Sequence, residues 1–300
     1  MSMLSVSIII LTYNHESFIL EALQSVALQE YPGVQLVIGD DASSDRTCDV
    51  IDQFEQQSGM NIDKVYFDAN VGITKNFNAC LERCQGDVIF VLGGDDVFCP
   101  GKIAAQVQHL EDNPNVTISY HDVEVFDSDS NRVMYLYNEM HGKHEGGAAE
   151  LVRRGAFGCG CSVAIRNKNL PTCDERIKFA SDWLWYIEVL MLSGGEIKYL
   201  EGVYARYRRH ANNITGGIHL QQQYAEVMQT LDIVAGKYPS LKAVASKSVS
   251  ERNIAFSMKF FIAGEYWRGL LLFKKAMSTN SLAPMFFLRI RIRRILRLFR

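Results

Sequence analysis

The sequence predicts an α/β domain, a mostly parallel sheet with helices on both faces, followed by a helical C-terminal region. Three observations predict it. Continuous apolar runs rich in β-branched residues recur at 6–11, 34–39 and 87–94, as in strands that are buried on both faces. The stretches between these runs have apolar side chains three and four residues apart, which is the helical period. From 218 onward the helical period continues without strand-like runs.

Strands and helices alternate along the first hundred residues. The helical stretches cover 17–29, 45–57 and 73–84. This order implies right-handed crossovers and a parallel sheet covered on both sides. In such sheets ligands bind beyond the carboxyl ends of the strands. The residues that follow the three strands are therefore the first candidates for a site: Thr12, Tyr13, Asn14, Asp40, Asp41, Asp95 and Asp96.

The middle third of the chain has a mixed pattern. It combines short strands such as NVTISYHDVEVF with a glycine-rich stretch and an aromatic helix, SDWLWYIEVLMLSGG. We assign it to the same domain, so that residues 1–215 form one unit and 216–300 form the helical C-terminal region.

The overall charge is close to neutral but unevenly distributed. The chain has 31 Lys and Arg against 34 Asp and Glu, a net charge of −3, which offers no general basic field for nucleic acid. The last fifteen residues hold six arginines and no acid, so the first 285 residues carry −9. An acidic body therefore precedes a basic, apolar tail.

The cysteines and the apolar runs indicate a cytoplasmic protein. The seven cysteines form no repeated CxxC framework and are expected to be reduced thiols. No basic residue precedes the first apolar run, as a secretory signal would require. No run reaches the roughly 20 apolar residues that span a bilayer.

Two adjacent acids after the third strand predict a metal site. Asp95 and Asp96 follow Gly93 and Gly94, and glycine leaves room for a ligand to approach the backbone. Mg²⁺ or Mn²⁺ takes oxygen ligands and binds through one or two carboxylates. The alternative is a solvated acidic turn, which the position at the end of a buried strand disfavours.

The acids after the second strand and the aromatic residue after the first suggest a nucleoside site. Asp40 could accept hydrogen bonds from a nucleobase, and Tyr13 offers a face for stacking. Each has a structural alternative, because acids and serines commonly form turns and a tyrosine at a strand end commonly packs.

Taken in order, SIIILTYN, VIGDDASSD and NVGITKNFNACLERCQGDVIFVLGGDD resemble the nucleotide-binding half of family 2 glycosyltransferases, inverting enzymes with a GT-A fold of the bacterial polysaccharide and O-antigen type. The resemblance covers about residues 5–100 and extends weakly to about 215. It implies that 1–215 form the catalytic domain, in which 1–100 bind the nucleotide sugar and 101–215 the acceptor. It implies a nucleoside-diphosphate sugar donor, with UDP as the expected carrier, and a divalent cation, Mn²⁺ or Mg²⁺. It also implies transfer of a hexosyl or N-acetylhexosaminyl group to a glycan or lipid-linked acceptor.

The resemblance assigns roles to single positions. Thr12, Tyr13 and Asn14 fall in the loop that holds the base, and Asp40 falls where a carboxylate reads the base edge. Lys75 falls where a basic residue lies near the diphosphate. Asp95 and Asp96 match the last two acids of the DxDD element, with Asp95 on the metal. The first acid of that element is Gly93 here, which removes one carboxylate near the donor ribose.

Two further assignments come from the later part of the resemblance. His210, in YARYRRHANNIT, resembles the family's YRxH element and would complete the metal shell, with Arg208 or Arg209 beside the leaving group. Asp182, in FASDWLWYIE, resembles the catalytic base. The alternative for Ser181 or Asp182 is an N-cap, and the alternative for Trp183 and Trp185, which could otherwise support a sugar ring, is the core.

The tail 285–300 has the pattern of an amphipathic helix. Apolar residues recur three and four apart on one face, beside a stripe of arginines at 289, 293, 297 and 300. A basic amphipathic helix is typical of a segment lying on a membrane surface, which predicts an enzyme peripheral at the inner face of the cell membrane. The alternative is packing on the acidic body or on a second subunit, so that an oligomer is possible.

Two other function classes fit the sequence less well. A sugar nucleotidyltransferase would need a glycine-rich, basic loop after the first strand, and LTYNHES lacks one. A non-catalytic nucleotide-sugar-binding protein of the same fold stays open because of Gly93.

Overall fold

A computed structural model describes residues 3–155, 157–211, 213 and 220–279. The predicted tail 285–300 lies outside the described residues. The chain divides into two compact units, the first being Met1–Ala148 with Ala156–Asn213 and the second Ala149–Gly155 with Ile214–Arg300. The short segment Ala149–Gly155 thus groups with residues that come much later in the chain.

The described residues of the first unit form nine strands and six complete helices, and they include the first residue of a seventh helix. The strands are β1 (Val6–Thr12), β2 (Val34–Asp40), β3 (Ile62–Tyr66), β4 (Val88–Gly93), β5 (Val97–Phe98), β6 (Val116–Asp127), β7 (Val133–Leu136), β8 (Val163–Arg166) and β9 (Glu196–Arg209). The helices are α1 (Ile19–Ala27), α2 (Thr47–Ser58), α3 (Ile73–Leu81), α4 (Lys102–Asp112), α5 (Tyr137–His141), α6 (Ala148–Arg154) and α7 (Ser181–Ser193). All but the first residue of α6 belongs to the second unit.

The strands pair in the order β3-β2-β1-β4-β8-β6-β9-β5. Strand β7 stands outside this order and pairs with β6. The pairs among the first four strands are all parallel, and β8 runs antiparallel to both β4 and β6. The predicted α/β class, its three strands and its three helices are confirmed. The prediction missed β3, because IDKVY has a single fully buried apolar residue, Ile62, and no continuous apolar run.

The register of the central strands aligns the predicted strand ends. Thr12 of β1 lies opposite Asp40 of β2, and Leu11 of β1 lies opposite Gly93 of β4. All three strands end at the same edge of the sheet. The side chains that follow them are therefore neighbours although they are far apart in sequence.

The last strand of the sheet returns the chain to this edge. The predicted short strands of the middle third are in part long, since β6 has 12 residues and β9 has 14. β9 runs parallel to β6, and near its end Arg206 pairs with Val97 of β5. Residues 208–210 consequently lie beside the turn that follows β4.

The second unit is helical, as the sequence predicts. Its described helices besides α6 are α8 (Leu220–Lys237), α9 (Lys242–Ile262) and α10 (Tyr266–Thr279). Serine hydroxyls join its elements, since Ser248 Oγ donates to the Val152 carbonyl at 2.8 Å and Ser257 Oγ to the Gly269 carbonyl at 2.7 Å. Over the part of the chain that the structure describes, no helix has the length and apolar character to span a membrane. All seven cysteines lie in described parts of the chain and are unpaired.

Candidate active site

Three potential metal ligands meet at the carboxyl edge of the sheet. His15 lies in the loop after β1, Asp95 in the turn after β4, and His210 directly after β9. Each offers one ligand atom, and these atoms lie within 4.8 Å of one another. The structure therefore brings together Asp95 and His210, as predicted, and adds His15, which the sequence analysis did not select.

Polar contacts fix the carboxylate of Asp95. Its Oδ2 lies 3.0 Å from His210 Nε2 and accepts a hydrogen bond from Asn213 Nδ2 at 3.1 Å. Asn213 Oδ1 in turn accepts from the backbone N–H of His210 at 2.6 Å. Asn213 thus holds both members of the pair in position.

The two adjacent aspartates differ in charge state. Burial disfavours the charged form of Asp95, but the hydrogen bond from His210 and the nearby His15 outweigh it and hold the pKa of Asp95 below its ordinary value. Burial, with Cys161 and Asp95 as neighbours, raises the pKa of Asp96 well above the ordinary value. The ionised form is therefore favoured at Asp95 and disfavoured at Asp96, which makes Asp95 the better ligand candidate.

Asp96 stands outside the group of three potential ligands and has a structural contact instead. Its Oδ1 accepts the backbone N–H of Arg208 at 2.9 Å, and Arg208 Nε donates to the Asp95 carbonyl at 2.7 Å. The Arg208 guanidinium also pairs with Glu21 and lies 4.6 Å from the Phe126 ring centre. Arg208 therefore joins β9 to the Asp95 turn, and a place for Arg208 or Arg209 beside a leaving group stays a prediction.

The environment of His15 fits a cation. Burial is the main cause that lowers the pKa of His15, so that its imidazole is neutral, the form that ligates metals. Its Nδ1 and Thr12 Oγ1 are buried and have no hydrogen-bond partner in the structure. A Cβ on Gly94 would lie 2.8 Å from His15 Nδ1 and 2.9 Å from Thr12 Oγ1. Unsatisfied buried polar atoms are rare, and here they stand beside a carboxylate and a second imidazole.

The predicted base-binding residues form one connected loop cluster. Thr12 is buried, whereas Tyr13 is 44% exposed and has a free face. Asn14 adopts a left-handed φ of 54° and its Oδ1 accepts the Ser44 N–H at 2.8 Å. Asp40 is buried, and both its carboxylate oxygens accept hydrogen bonds from Ser43, at 2.8 and 2.6 Å. In this geometry Asp40 forms the turn, and its reading of a base stays a prediction.

Asp41 has a role that the sequence analysis did not assign. Its two carboxylate oxygens accept the backbone N–H groups of Val71 at 2.6 Å and Gly72 at 3.0 Å. It therefore fixes the turn that leads into α3. Lys75 lies in the first turn of α3 and projects to the surface, where its Nζ is 3.6 Å from Glu175 Oε2. The residue predicted to contact the diphosphate therefore already faces a carboxylate.

Asp182 lies at the start of α7, beside the donor half of the domain. The preceding residue Ser181 contacts Thr74 of α3 through their hydroxyls at 3.0 Å. Asp182 is exposed to solvent, yet protein atoms crowd its carboxylate enough that desolvation raises its pKa, against a hydrogen bond from the Trp183 N–H at 2.7 Å. Ala180 occupies the N-cap position, but the Asp182 carboxylate does accept one N–H of the first helical turn, as the capping alternative expects.

The two tryptophans of α7 belong to the core. Trp183 is 3% and Trp185 2% exposed, and Trp185 packs edge-on against Phe77 with ring centres 5.0 Å apart. Both tryptophans are therefore core residues, as the alternative to a sugar-binding role expected, and they cannot support a sugar ring.

A cavity of about 830 Å³ opens beside the metal-ligand group. Its lining includes Asn14, Phe18, Arg209 and His210, and Asp45 and Asp127 add negative charge. Pockets of about 300–1,000 Å³ hold small ligands, so the cavity has the size for one next to the three candidate ligands.

A side chain at position 93 would crowd the Asp95 carboxylate. A Cβ built on Gly93 would lie 2.6 Å from Asp95 Oδ1 and 3.3 Å from Asp96 Oδ2. The family's first acid could therefore not stand here unless Asp95 moved. Glycine in place of the first acid of the DxDD element therefore leaves room for the Asp95 carboxylate in its present position.

We expect Gly93→Ala to weaken Mn²⁺ binding about ten- to hundredfold, the usual loss when the orientation of a metal ligand is disturbed. Isothermal titration of the protein with MnCl₂ measures it. Gly236→Ala is the matched control, because a Cβ at Gly236 meets no atom within 4 Å. Equal Mn²⁺ affinity in both variants would show that the close contact at Gly93 does not control the position of the Asp95 carboxylate.

His15 and Asn213 are the site residues that the sequence analysis missed. His15 follows the end of β1 by three residues, which is the position the strand-end argument searches. Asn213 lies three residues after His210, and nothing in the sequence indicated its contact with Asp95. Asn213 reaches Asp95 because β9 returns the chain to the sheet edge.

Comparison with known proteins agrees with this architecture. Residues 7–171 match the family described as Glycosyl transferase family 2. An uncharacterized protein of Mycobacterium tuberculosis is 30% identical over 211 residues, covering 69% of this chain and 60% of the relative. The chain thus spans less than two thirds of the length of this curated relative.

Two solved structures share the fold. Staphylococcus aureus TarS 1-349 in complex with UDP-GlcNAc has 17% identity and a TM-score of 0.66, covering 92% of this chain and 81% of that one. A mannosyltransferase of Pyrobaculum calidifontis in complex with GDP-Man and Mn²⁺ has 16% identity and a TM-score of 0.65, covering 98% and 81%. The predicted GT-A fold is confirmed. More than half of the chain matches the family, and the chain belongs to glycosyl transferase family 2.

Proposed function

We propose that this protein is an inverting glycosyltransferase that moves a sugar from a nucleoside-diphosphate sugar to an acceptor hydroxyl. One observation carries the proposal: His15, Asp95 and His210 converge within 4.8 Å at the carboxyl edge of a family 2 domain. A non-catalytic relative would have no need to keep an ionised carboxylate and two imidazoles together at this position, or an unsatisfied buried nitrogen on one of them.

The ligand set favours Mn²⁺ over Mg²⁺, because Mg²⁺ takes oxygen ligands almost alone whereas two of the three atoms here are imidazole nitrogens. A bound cation would supply positive charge for the departing diphosphate. Asp95, His15 and His210 would hold it. Arg208 and Asn213 keep Asp95 in place through its carbonyl and carboxylate oxygens.

Asp182 would take the proton of the acceptor hydroxyl. A sugar hydroxyl attacks only as its proton leaves, so that a carboxylate on the far side from the diphosphate is required. The raised pKa of Asp182, caused by desolvation, makes it a stronger base than an ordinary aspartate. Its helix begins beside α3, which also carries Lys75, the proposed contact for the diphosphate.

UDP is the proposed carrier, with a hexose or N-acetylhexosamine as the sugar. Tyr13 offers an exposed ring next to the loop made by Asn14 and Asp40. The TarS neighbour was solved with UDP-GlcNAc and the archaeal neighbour with GDP-Man. Because both have the same fold, the donor is decided by side chains in this loop rather than by architecture.

The proposed acceptor is a glycan or lipid-linked sugar of a cell-surface polysaccharide, reached by peripheral binding to the cytoplasmic membrane face. The support is the composition of residues 286–300, with six arginines and no acid. At about 1 kcal/mol per arginine near anionic lipid, four arginines on one helical stripe contribute roughly 4 kcal/mol.

Hydrolysis of a panel of UDP-, GDP- and dTDP-sugars tests the function. We expect Mn²⁺-dependent release of UDP, absent in the presence of a chelator. Binding of UDP without any metal requirement, together with no hydrolysis of any donor, would instead identify a non-catalytic binding protein.

A further inference from the structure

The turn between α9 and α10 exposes large apolar side chains. Ile262 and Trp267 are each 85% exposed and Leu271 is 65% exposed, with Phe261 and Leu270 at 37%. We call these five residues the hairpin face. Single exposed apolar residues are ordinary, but a contiguous group on one helical hairpin marks an interaction surface.

The exposed residues of α10 lie opposite its packed side. The packed side of α10 consists of buried residues spaced three and four apart, which are Gly269, Leu272 and Ala276. At 100° per residue, Trp267, Leu270 and Leu271 fall on the other side of the helix, where a surface helix ordinarily carries charged residues. Ser257 Oγ and Ser250 Oγ, both on α9, donate to the carbonyls of Gly269 and Ala276 at 2.7 and 2.9 Å. The packed side of α10 is thus fixed against α9.

The charge of this region selects its partner. α10 contains Arg268, Lys274 and Lys275 and no acid, but Arg268 pairs with Glu265, which directly precedes the helix. Lys274 and Lys275 add two positive charges, and the sequence that follows, 280–300, adds six arginines and no acid. The same surface on a second copy of the chain would carry charge of the same sign and repel it. An anionic lipid surface offers the complementary charge and an apolar interior, and tryptophan with flanking lysine and arginine is typical of helices in the bilayer interface.

We infer that the hairpin face is a docking surface for an anionic lipid bilayer. Trp267 and Leu271 enter the boundary between headgroups and acyl chains, and Lys274 and Lys275 face the lipid phosphates. The inference rests on the membrane association proposed above and assigns it to residues that the structure describes, in addition to the tail. It does not depend on the transfer chemistry.

Tryptophan fluorescence tests the inference directly on the full chain. Of the three tryptophans, Trp183 and Trp185 are buried and Trp267 is exposed. Vesicles of phosphatidylglycerol and phosphatidylcholine in equal parts should shift the emission to shorter wavelength, and acyl-brominated lipid should quench it. Pure phosphatidylcholine vesicles should do so weakly. Trp267→Phe should lose the shift while the protein still sediments with anionic vesicles.

A double variant tests the energetic contribution. Trp267→Ser with Leu271→Ser should weaken binding to the anionic vesicles at least tenfold. The control is Leu28→Ser, since Leu28 is 70% exposed at the end of α1 in the first unit. Donor hydrolysis in the absence of vesicles should be unchanged in all of these variants, so that a failure of the docking surface is distinguishable from a failure of the proposed enzyme.

Two outcomes would overturn the inference. Vesicle binding with no emission shift and no quenching would place the contact elsewhere, for example in the tail alone. An emission shift that depends on protein concentration without vesicles, together with a dimer in sedimentation, would show that a second copy covers the hairpin face. Deleting 285–300 supplies a further check, because the Trp267 shift should persist at saturating vesicle concentrations.

Discussion

Asp182→Asn is expected to reduce sugar transfer by a factor of roughly 10²–10⁴, the usual contribution of a general base. Asparagine keeps the shape of the side chain and can still accept the Trp183 N–H, but it cannot take a proton. UDP affinity, measured by calorimetry, should stay within about twofold of the wild type. Asp49→Asn is the matched control, since Asp49 is an exposed acid in the first turn of α2. Turnover that survives Asp182→Asn would remove Asp182 from the mechanism.

The raised pKa of Asp182 gives the same variant a pH signature. The acidic limb of the wild-type rate profile should lie above the range of an ordinary aspartate, because the base must be ionised and desolvation raises its pKa. A carboxylate with a higher pKa in the folded than in the unfolded state lowers the free energy of unfolding as pH rises through that window. Above it, Asp182→Asn should therefore melt at a higher temperature than the wild type, and below it the difference should vanish.

Asp95→Ala is expected to abolish metal-dependent UDP binding. Residues that merely orient metal ligands contribute about ten- to hundredfold to affinity, and Asp95 is the carboxylate of the candidate set, so the loss should exceed roughly a hundredfold. Titration of UDP with and without Mn²⁺ measures it.

The neighbouring acid supplies the control for Asp95. Asp96→Asn should bind UDP and Mn²⁺ like the wild type, because Asp96 is buried, outside the ligand group, and needs only an oxygen acceptor for the Arg208 N–H. Equal losses in the two variants, or undiminished metal-dependent binding in Asp95→Ala, would contradict the assigned division between the two acids.

The part of the fold that follows from local pattern was predictable. Strands β1, β2 and β4 are continuous apolar runs, and the ends of parallel strands share one edge, so Thr12, Asp40 and Asp95 were expected to lie together. β3 was not predictable in this way, because its apolar residues are interrupted by Asp63 and Lys64.

The site itself was predictable only in part. Asp95 and His210 were found through motifs, but the contact of Asn213 with Asp95 depends on where β9 ends, which no local period encodes. The roles of Asp96 and Arg208 could not be read from sequence either. Asp96 follows another aspartate and Arg208 precedes another arginine. Only burial and the atoms that each side chain contacts distinguish the members of each pair.

The return of β9 to the sheet edge has a consequence for how the protein is made. Asp95 and His210 are separated by 115 residues, and Arg208 pairs with Glu21 across 187. A ribosome adds about 5–20 residues per second, so Asp95 emerges on the order of ten seconds before its partner. During that interval the nascent chain has its parallel strands but lacks the second imidazole and the arginine of the Asp95 turn. The three candidate ligands therefore come together only late in synthesis, when β9 inserts between β6 and β5.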